Sequence, residues 1–352
     1  MRRIGESHAT SDWGKVTAVR ERIEICYPGH WVAHSPLTAG HRKEISKEIV
    51  AWIAEHTPST PEVLDDVRDM DPGNGTASAY PKADHRQAST IAKYLFYWLS
   101  WDDTNIETAT GSELNHVEKA IVGEPFADQE PAEGVGRNPY LASWWLIGEE
   151  FTALGASPQW RKRLGSFQAW WARRAAREAQ VIQGRETYQD FSAALKHRVK
   201  TIGPGGNVLP AEITAGYEIP EEVYYSRIHQ DLLHRLGRVL ALPNDLIGYG
   251  KDMAEGQLGS NLLWQHQNLC RTQDVDASIL ALMELFGQAV EEFDDIASTI
   301  LGRCSPEVAE GLSVVFDHYR FAAAGFTKWY IEAPRYNQYV HSGEQPWSFF
   351  MG

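Results

Sequence analysis

The chain has 352 residues, 43% hydrophobic and 23% charged, which is long enough for one large core or two smaller ones. With 33 Lys and Arg against 47 Asp and Glu the formal charge is -14, which excludes a general binder of nucleic acid or anionic membrane, because those work through clustered basic side chains. Cys26, Cys270 and Cys304 are odd in number and widely spaced, so neither a disulfide framework nor a zinc site is expected, and the thiols read as buried or unimportant.

In chain order, the segment 1–40 is irregular. Its start, MRRIGESHATSDWGK, has two arginines but no apolar stretch behind them, and no run in the chain approaches 18 uninterrupted apolar residues. A soluble, cytoplasmic protein without a membrane anchor is expected. Apolar residues then recur at helical spacing, as in RKEISKEIVAWIAEH (Arg42 to His56), YSRIHQDLLHRLGRVLAL (Tyr225 to Leu242) and ASILALMELFGQAVEEFDDIASTIL (Ala277 to Leu301). The breaks are short: Met70 to Pro81, Gly155 to Trp160, Thr201 to Pro210 and Gly302 to Val308. Nothing competes as a β-sheet. The expectation is an all-α bundle of about ten helices in a single domain over 1–352, with an irregular tail over 337–352.

The stretch YLFYWLSWDDTNIETA (Tyr94 to Ala109) leads an aromatic helix into three carboxylates. On a helix Asp103 and Glu107 share a face, Asp102 sits beside them, and no neighbouring Lys or Arg neutralises the group. Tyr94 and Trp98 fall within the two preceding turns, so the acids would stand at the rim of an aromatic-walled space. Hard cations such as Mg²⁺ take carboxylate and water oxygens and often complete their shell with substrate phosphates. The pair Asp294 and Asp295 has the same look but reads as a solvated helix face.

In LPNDLIGYGKDMAEG (Leu242 to Gly256), Asn244, Gly248 and Asp252 fall at i, i+4 and i+8 on one helical stripe, with Lys251 adjacent. An amide oxygen and a carboxylate two turns apart suit one small cation between them. Pro243 should remove a helical hydrogen bond and kink or restart the helix.

Together these motifs make the chain resemble a class I terpene synthase of the microbial single-domain kind. Asp102, Asp103 and Glu107 match that family's aspartate-rich motif, and Asn244, Asp245, Lys251 and Asp252 align with its second metal motif. The family's diphosphate-sensing Arg lies 46 residues before the Asn, which falls on Arg198, and Thr201 and Ile202 then occupy the helix break coupling the sensor to the cavity. Arg335 and Tyr336 match its late diphosphate-binding pair.

The resemblance implies the class I helical fold around a central cavity. It further implies three Mg²⁺ ions held by Asp102, Asp103, Glu107, Asn244, Gly248 and Asp252, and diphosphate bound by Arg198, Lys251, Arg335 and Tyr336. A prenyl diphosphate, most simply farnesyl diphosphate, would ionise and the carbocation would cyclise to a sesquiterpene hydrocarbon or alcohol, shielded by the aromatic faces of Tyr94, Trp98, Trp264 and Trp329. A homodimer is in keeping with the family. Two departures stand out: Gly248 lacks the usual hydroxyl, and Asp252 replaces Glu, leaving Glu255 as a spare ligand. Geranylgeranyl diphosphate is the alternative substrate. A chain-elongating prenyltransferase would show two aspartate-rich motifs, and a non-catalytic helical metal- or partner-binding protein would release no diphosphate.

Overall fold

The computed structural model describes residues 23–104, 111–124, 138–272, 274–338 and 347–351. Its helices begin where the sequence offers caps. Thr38, Ser157, Asp190, Ser226, Asp274 and Ser305 each accept a hydrogen bond from a first-turn amide of the helix that follows.

The chain runs through α1 (Ala39–His56), α2 (Pro61–Asp69), α3 (Pro72–Ala79), α4 (His85–Thr104), α5 (Gly111–Val122), α6 (Pro139–Ala153), α7 (Pro158–Ile182) and α8 (Phe191–Thr201). There follow α9 (Pro204–Ala215), α10 (Glu221–Tyr224), α11 (Arg227–Glu255), α12 (Leu262–Leu269), α13 (Val275–Leu301), α14 (Pro306–Glu332) and α15 (Pro334–Asn337). All of them share one contiguous hydrophobic core apart from their solvent faces. The fold is all-α in its bulk, as expected.

The additional helices come from stretches that read as breaks. Met70 to Pro81, rich in Gly and Pro, contains α3, whose residues are almost all buried. Small side chains serve close packing there: a Cβ at Gly325 of α14 would lie 2.0 Å from the Ser78 carbonyl oxygen, so α3 and α14 approach backbone to backbone.

Four expectations need correcting. A small parallel sheet exists, pairing β1 (Ile23–Tyr27) with β2 (Trp347–Met351) in the register Ile23 to Trp347, so the two ends of the chain are not wholly irregular. Its signal was only five residues long: Ile25 and Tyr27 are buried while Glu24 and Cys26 are exposed, the alternation of a half-buried strand. Of the two readings of the thiols, burial fails: Cys26 and Cys270 are exposed and Cys304 is partly so.

Pro243 does not restart a helix, because α11 runs unbroken for 29 residues and packs against α13 and α14 along its length. Asp294 is not a solvated acid. Its carboxylate accepts from Arg320 at 2.7 Å and from the Trp31 indole at 3.0 Å, tying the N-terminal segment to the bundle, whereas Asp295 is exposed as expected.

Candidate active site

Helices α4, α7, α11 and α14, with the α8–α9 break, enclose a cavity of about 210 Å³. From α4 come Leu95, Trp98, Leu99, Asp102 and Asp103, the i, i+3, i+4, i+7, i+8 stripe of one helical face. Across from them α11 presents Asn244, Gly248, Lys251 and Asp252. The α14–α15 side adds Phe326, Trp329, Tyr330, Arg335 and Tyr336. Polar groups gather at the mouth and aromatic rings line the interior.

At the mouth every cation already has an anionic partner. Arg335 grips Asp103 with two nitrogens, Nη1 at 2.8 Å and Nη2 at 3.0 Å, a bidentate pair across α4 and α15. Lys251, though buried, holds Asp252 at 3.0 Å and Glu255 at 2.9 Å. Arg198 donates Nε to both oxygens of Asp245, at 2.8 and 3.1 Å, and Nη2 to Asn244 Oδ1 at 2.7 Å. Despite the cost of burial, these carboxylates hold the Arg198, Lys251 and Arg335 pKa values above their ordinary ones.

Asp102 differs from its neighbours. Burial pushes its carboxyl up to about 8, and the nearby Asp103 and Glu178 carboxylates push the same way. It makes no ion pair among the described residues. A site crowded with carboxylate and amide oxygens, one of them without a cation, suits a hard divalent ion. No three His, Cys, Asp or Glu side chains among the described residues converge on one point, so the donors are divided between the two walls. That division matches a cation that completes its shell with oxygens from a phosphorylated substrate.

Several expected residues stand elsewhere. Tyr94 is not in the cavity lining: its hydroxyl donates to the Gly206 carbonyl and accepts from Gln168, and its buried ring packs among Trp98, Trp144 and Phe151. Trp264 lies half-buried on α12, away from the cavity. Glu255 is exposed and outside the lining, occupied with Lys251. Asp245 is fully buried behind the wall, where it also accepts from the Leu262 amide at 2.9 Å and serves to fix Arg198. Glu107 lies outside the described residues.

The helix break falls at Thr201 and Ile202. Gly203 adopts φ 72°, and a Cβ there would stand 2.5 Å from the Trp98 ring, so only glycine turns the chain beneath that indole. The Trp171 indole donates to the Thr201 carbonyl at 2.7 Å and meets Trp98 edge to face. Two indoles of the cavity wall are thereby seated on the break.

Sequence reasoning missed Glu178, Asn207 and Trp171, all in the lining. Glu178 accepts from Thr201 Oγ1 at 2.7 Å and stands 3.8 Å from Arg198. Its signal was available: on α7 it interrupts the stripe Trp171, Ala175, Ala179 and Ile182, one carboxylate on an otherwise apolar cavity face.

Residues 93–292, more than half of the chain, match terpene synthase family 2, C-terminal metal binding. Pristinol synthase of Streptomyces pristinaespiralis is 23% identical over 348 residues, covering 96% of this chain and 89% of that protein. Phomopsene synthase of Allokutzneria albata is 23% identical over 289 residues, 81% of this chain and 78% of its own. Among solved structures, 2-methylisoborneol synthase from Streptomyces coelicolor A3(2), in complex with Mg²⁺ and 2-fluoroneryl diphosphate, superposes with a TM-score of 0.71 at 16% identity. That match covers 87% of this chain and 96% of the other.

Proposed function

As the chain belongs to terpene synthase family 2 and is therefore a lyase acting on prenyl diphosphates, we propose that it ionises farnesyl diphosphate and cyclises the cation to a sesquiterpene. One observation carries the reading. Asp102 and Asp103 face Asn244 and Asp252 across the mouth of a single aromatic-lined cavity, with Arg198, Lys251 and Arg335 at its edge.

Asp102 and Asp103 on one wall and Asn244 and Asp252 on the other would hold magnesium, three ions in all. Bound magnesium supplies charge neutralisation for the departing diphosphate. Arg198, Lys251 and Arg335 would exchange part of their present carboxylate contacts for diphosphate oxygens, and Tyr336, whose hydroxyl accepts from Asn244 at 3.3 Å, would turn its proton to the same group.

Behind the mouth, Trp98, Trp171, Phe96 and Trp329 line the cavity, aromatic groups that can stabilise a cation and bring no strong nucleophile to capture it. Cavity size favours the C15 substrate over C20. About 210 Å³ is below the usual range of roughly 300–1,000 Å³ for ligand pockets, and Trp98 is seated too firmly on Gly203 to yield space cheaply.

The test is incubation of purified protein with Mg²⁺ and, separately, geranyl, farnesyl and geranylgeranyl diphosphates. Diphosphate release is assayed and the organic extract examined by gas chromatography with mass spectrometry. A cyclic C15 product from farnesyl diphosphate is expected. A C20 product alone would reassign the substrate, and no release from any of the three would remove the reading.

A further inference from the structure

We propose that Asn207 anchors the water molecule that captures the final cation, so that the product is a terpene alcohol. The proposal rests on the cyclase reading above and deepens it by naming the quenching step.

Asn207 lies on the first turn of α9, just past the break, and is part of the cavity lining. Its Nδ2 donates to the carbonyl oxygens of Ile202 at 2.7 Å and Gly203 at 3.1 Å. Carbonyl oxygens are matched only by the NH₂ end of the amide, so the orientation of the side chain is dictated by its partners. Oδ1 must then point the other way. It accepts no protein hydrogen bond among the described residues, nor is it one of the sealed, partnerless polar atoms of the fold. An acceptor that is open, on a residue of the cavity wall, faces the cavity.

The residue is also held still. Its backbone carbonyl accepts from the Tyr80 hydroxyl, and its backbone amide donates to Gly203. The break otherwise leaves little that is polar. The Thr201 carbonyl is taken by Trp171, and the Thr201 hydroxyl by Glu178. Among the rings of the interior, an amide oxygen is the group that would fix a water, which needs at least two polar partners to remain in such a place. Tyr330, buried in the same lining, has a hydroxyl with no hydrogen-bond partner among the described residues, and burial keeps it protonated as a donor.

The step balances. A lone pair of the water oxygen forms the C–O bond to the cationic carbon, giving a protonated alcohol. Its extra proton passes to the diphosphate released in the ionisation, and no oxidant or reductant is required. Asn207 Oδ1 accepts one water hydrogen and thereby aims the lone pair at the substrate.

The experiment is turnover of farnesyl diphosphate by the Mg²⁺-supplied full chain in water enriched in oxygen-18. The expected main product is an alcohol carrying the heavy oxygen. In Asn207→Leu, of similar volume, the ratio of alcohol to hydrocarbon should fall roughly ten-fold while diphosphate is still released, the scale of one hydrogen bond. Unlabelled hydrocarbon as the main wild-type product, with diphosphate released, overturns the water site alone. An unchanged alcohol fraction in Asn207→Leu overturns the role of Asn207. Absence of turnover with every prenyl diphosphate overturns the cyclase reading and this proposal with it. The wild-type labelling decides even if the variant folds poorly.

Discussion

Arg198 Nη2 donates to Asn244 Oδ1 across 2.7 Å, so the amide oxygen that would ligate a cation is held by the guanidinium that would receive the leaving group. The same guanidinium is pinned from behind by Asp245, on α11 one residue after Asn244. On the proposed reading, leaving-group recognition and metal binding would be built on one hydrogen-bonded unit. Arg198→Lys replaces a planar fork with a single ammonium, which cannot serve Asn244 and both Asp245 oxygens together. Turnover should drop by about 100-fold or more, the scale of losing a preorganised electrostatic donor. Steady-state kinetics with farnesyl diphosphate check this, and a rate within a few-fold of wild type would show that a point charge is enough.

Asp102→Ala and Asn244→Ala remove donors from opposite walls of the cavity. Neither holds a helix together: Asp102 makes no ion pair among the described residues, and Asn244 stands mid-helix on α11. Each variant should lose turnover by at least about 100-fold while the helical circular dichroism spectrum persists. Wild-type rates in both would leave the metal assignment without support.

The convergence at the mouth was legible because polar residues betray themselves: Asp102, Asp103, Asn244, Lys251 and Arg335 carry their pattern in the sequence and meet at one cavity. The wall was less so. Tyr94 and Trp98 are one turn apart on the same aromatic face and their rings touch, yet only Trp98 reaches the cavity, because the Tyr94 hydroxyl is held in the core by Gly206 and Gln168. Asn207 was hidden in a stretch that reads as a break, where glycine and proline mask the start of α9. Its amide acquires meaning only from two carbonyl groups that the break turns toward it.

Gly203 supports Trp98 and turns the chain at once. In Gly203→Ala the Cβ would meet the Trp98 ring at 2.5 and 2.9 Å while the backbone stays at φ 72°. A left-handed alanine costs about 1–2 kcal/mol and displacement of a packed ring about 1–3 kcal/mol more. Denaturant unfolding should therefore show a loss of about 2–5 kcal/mol, together with an altered product mixture as Trp98 leaves its place. Unchanged stability with unchanged products would mean that the break has other conformations open to it.

The resemblance implies a hydroxyl ligand where Gly248 stands, and the space there is not closed. A Cβ there would lie 3.6 Å from the Tyr336 ring and 3.8 Å from Asp252, ordinary contacts. Gly248→Ser should fold at least as well, since serine is the better helix former by about 0.5 kcal/mol. It should also lower the Mg²⁺ concentration giving half-maximal rate by several-fold, because an oxygen donor joins the set. A higher metal requirement in a stably folded variant would show that the bare backbone is what the site needs.

The last prediction concerns acid stability, at the start of α11 and about four turns before Asn244. His229 is fully buried on α11, with Nδ1 on the Tyr224 carbonyl at 3.0 Å and Nε2 sealed without a partner. Burial, and then the charge of Arg163, push its pKa down from 6.5 to about 4. The folded value lies below the unfolded one, so between pH 4 and 6.5 the unfolded chain binds more protons. The stability contribution is complete above the unfolded pKa and is lost as pH falls toward the folded one. A depression of this size corresponds to about 3 kcal/mol. His229→Gln keeps a donor for the Tyr224 carbonyl but does not titrate. Its unfolding free energy, measured by urea titration across that window, should fall less steeply with acid than that of wild type. Parallel curves for the two proteins would place the His229 proton outside the folding equilibrium, and the sealed Nε2 would then have to be reached by water.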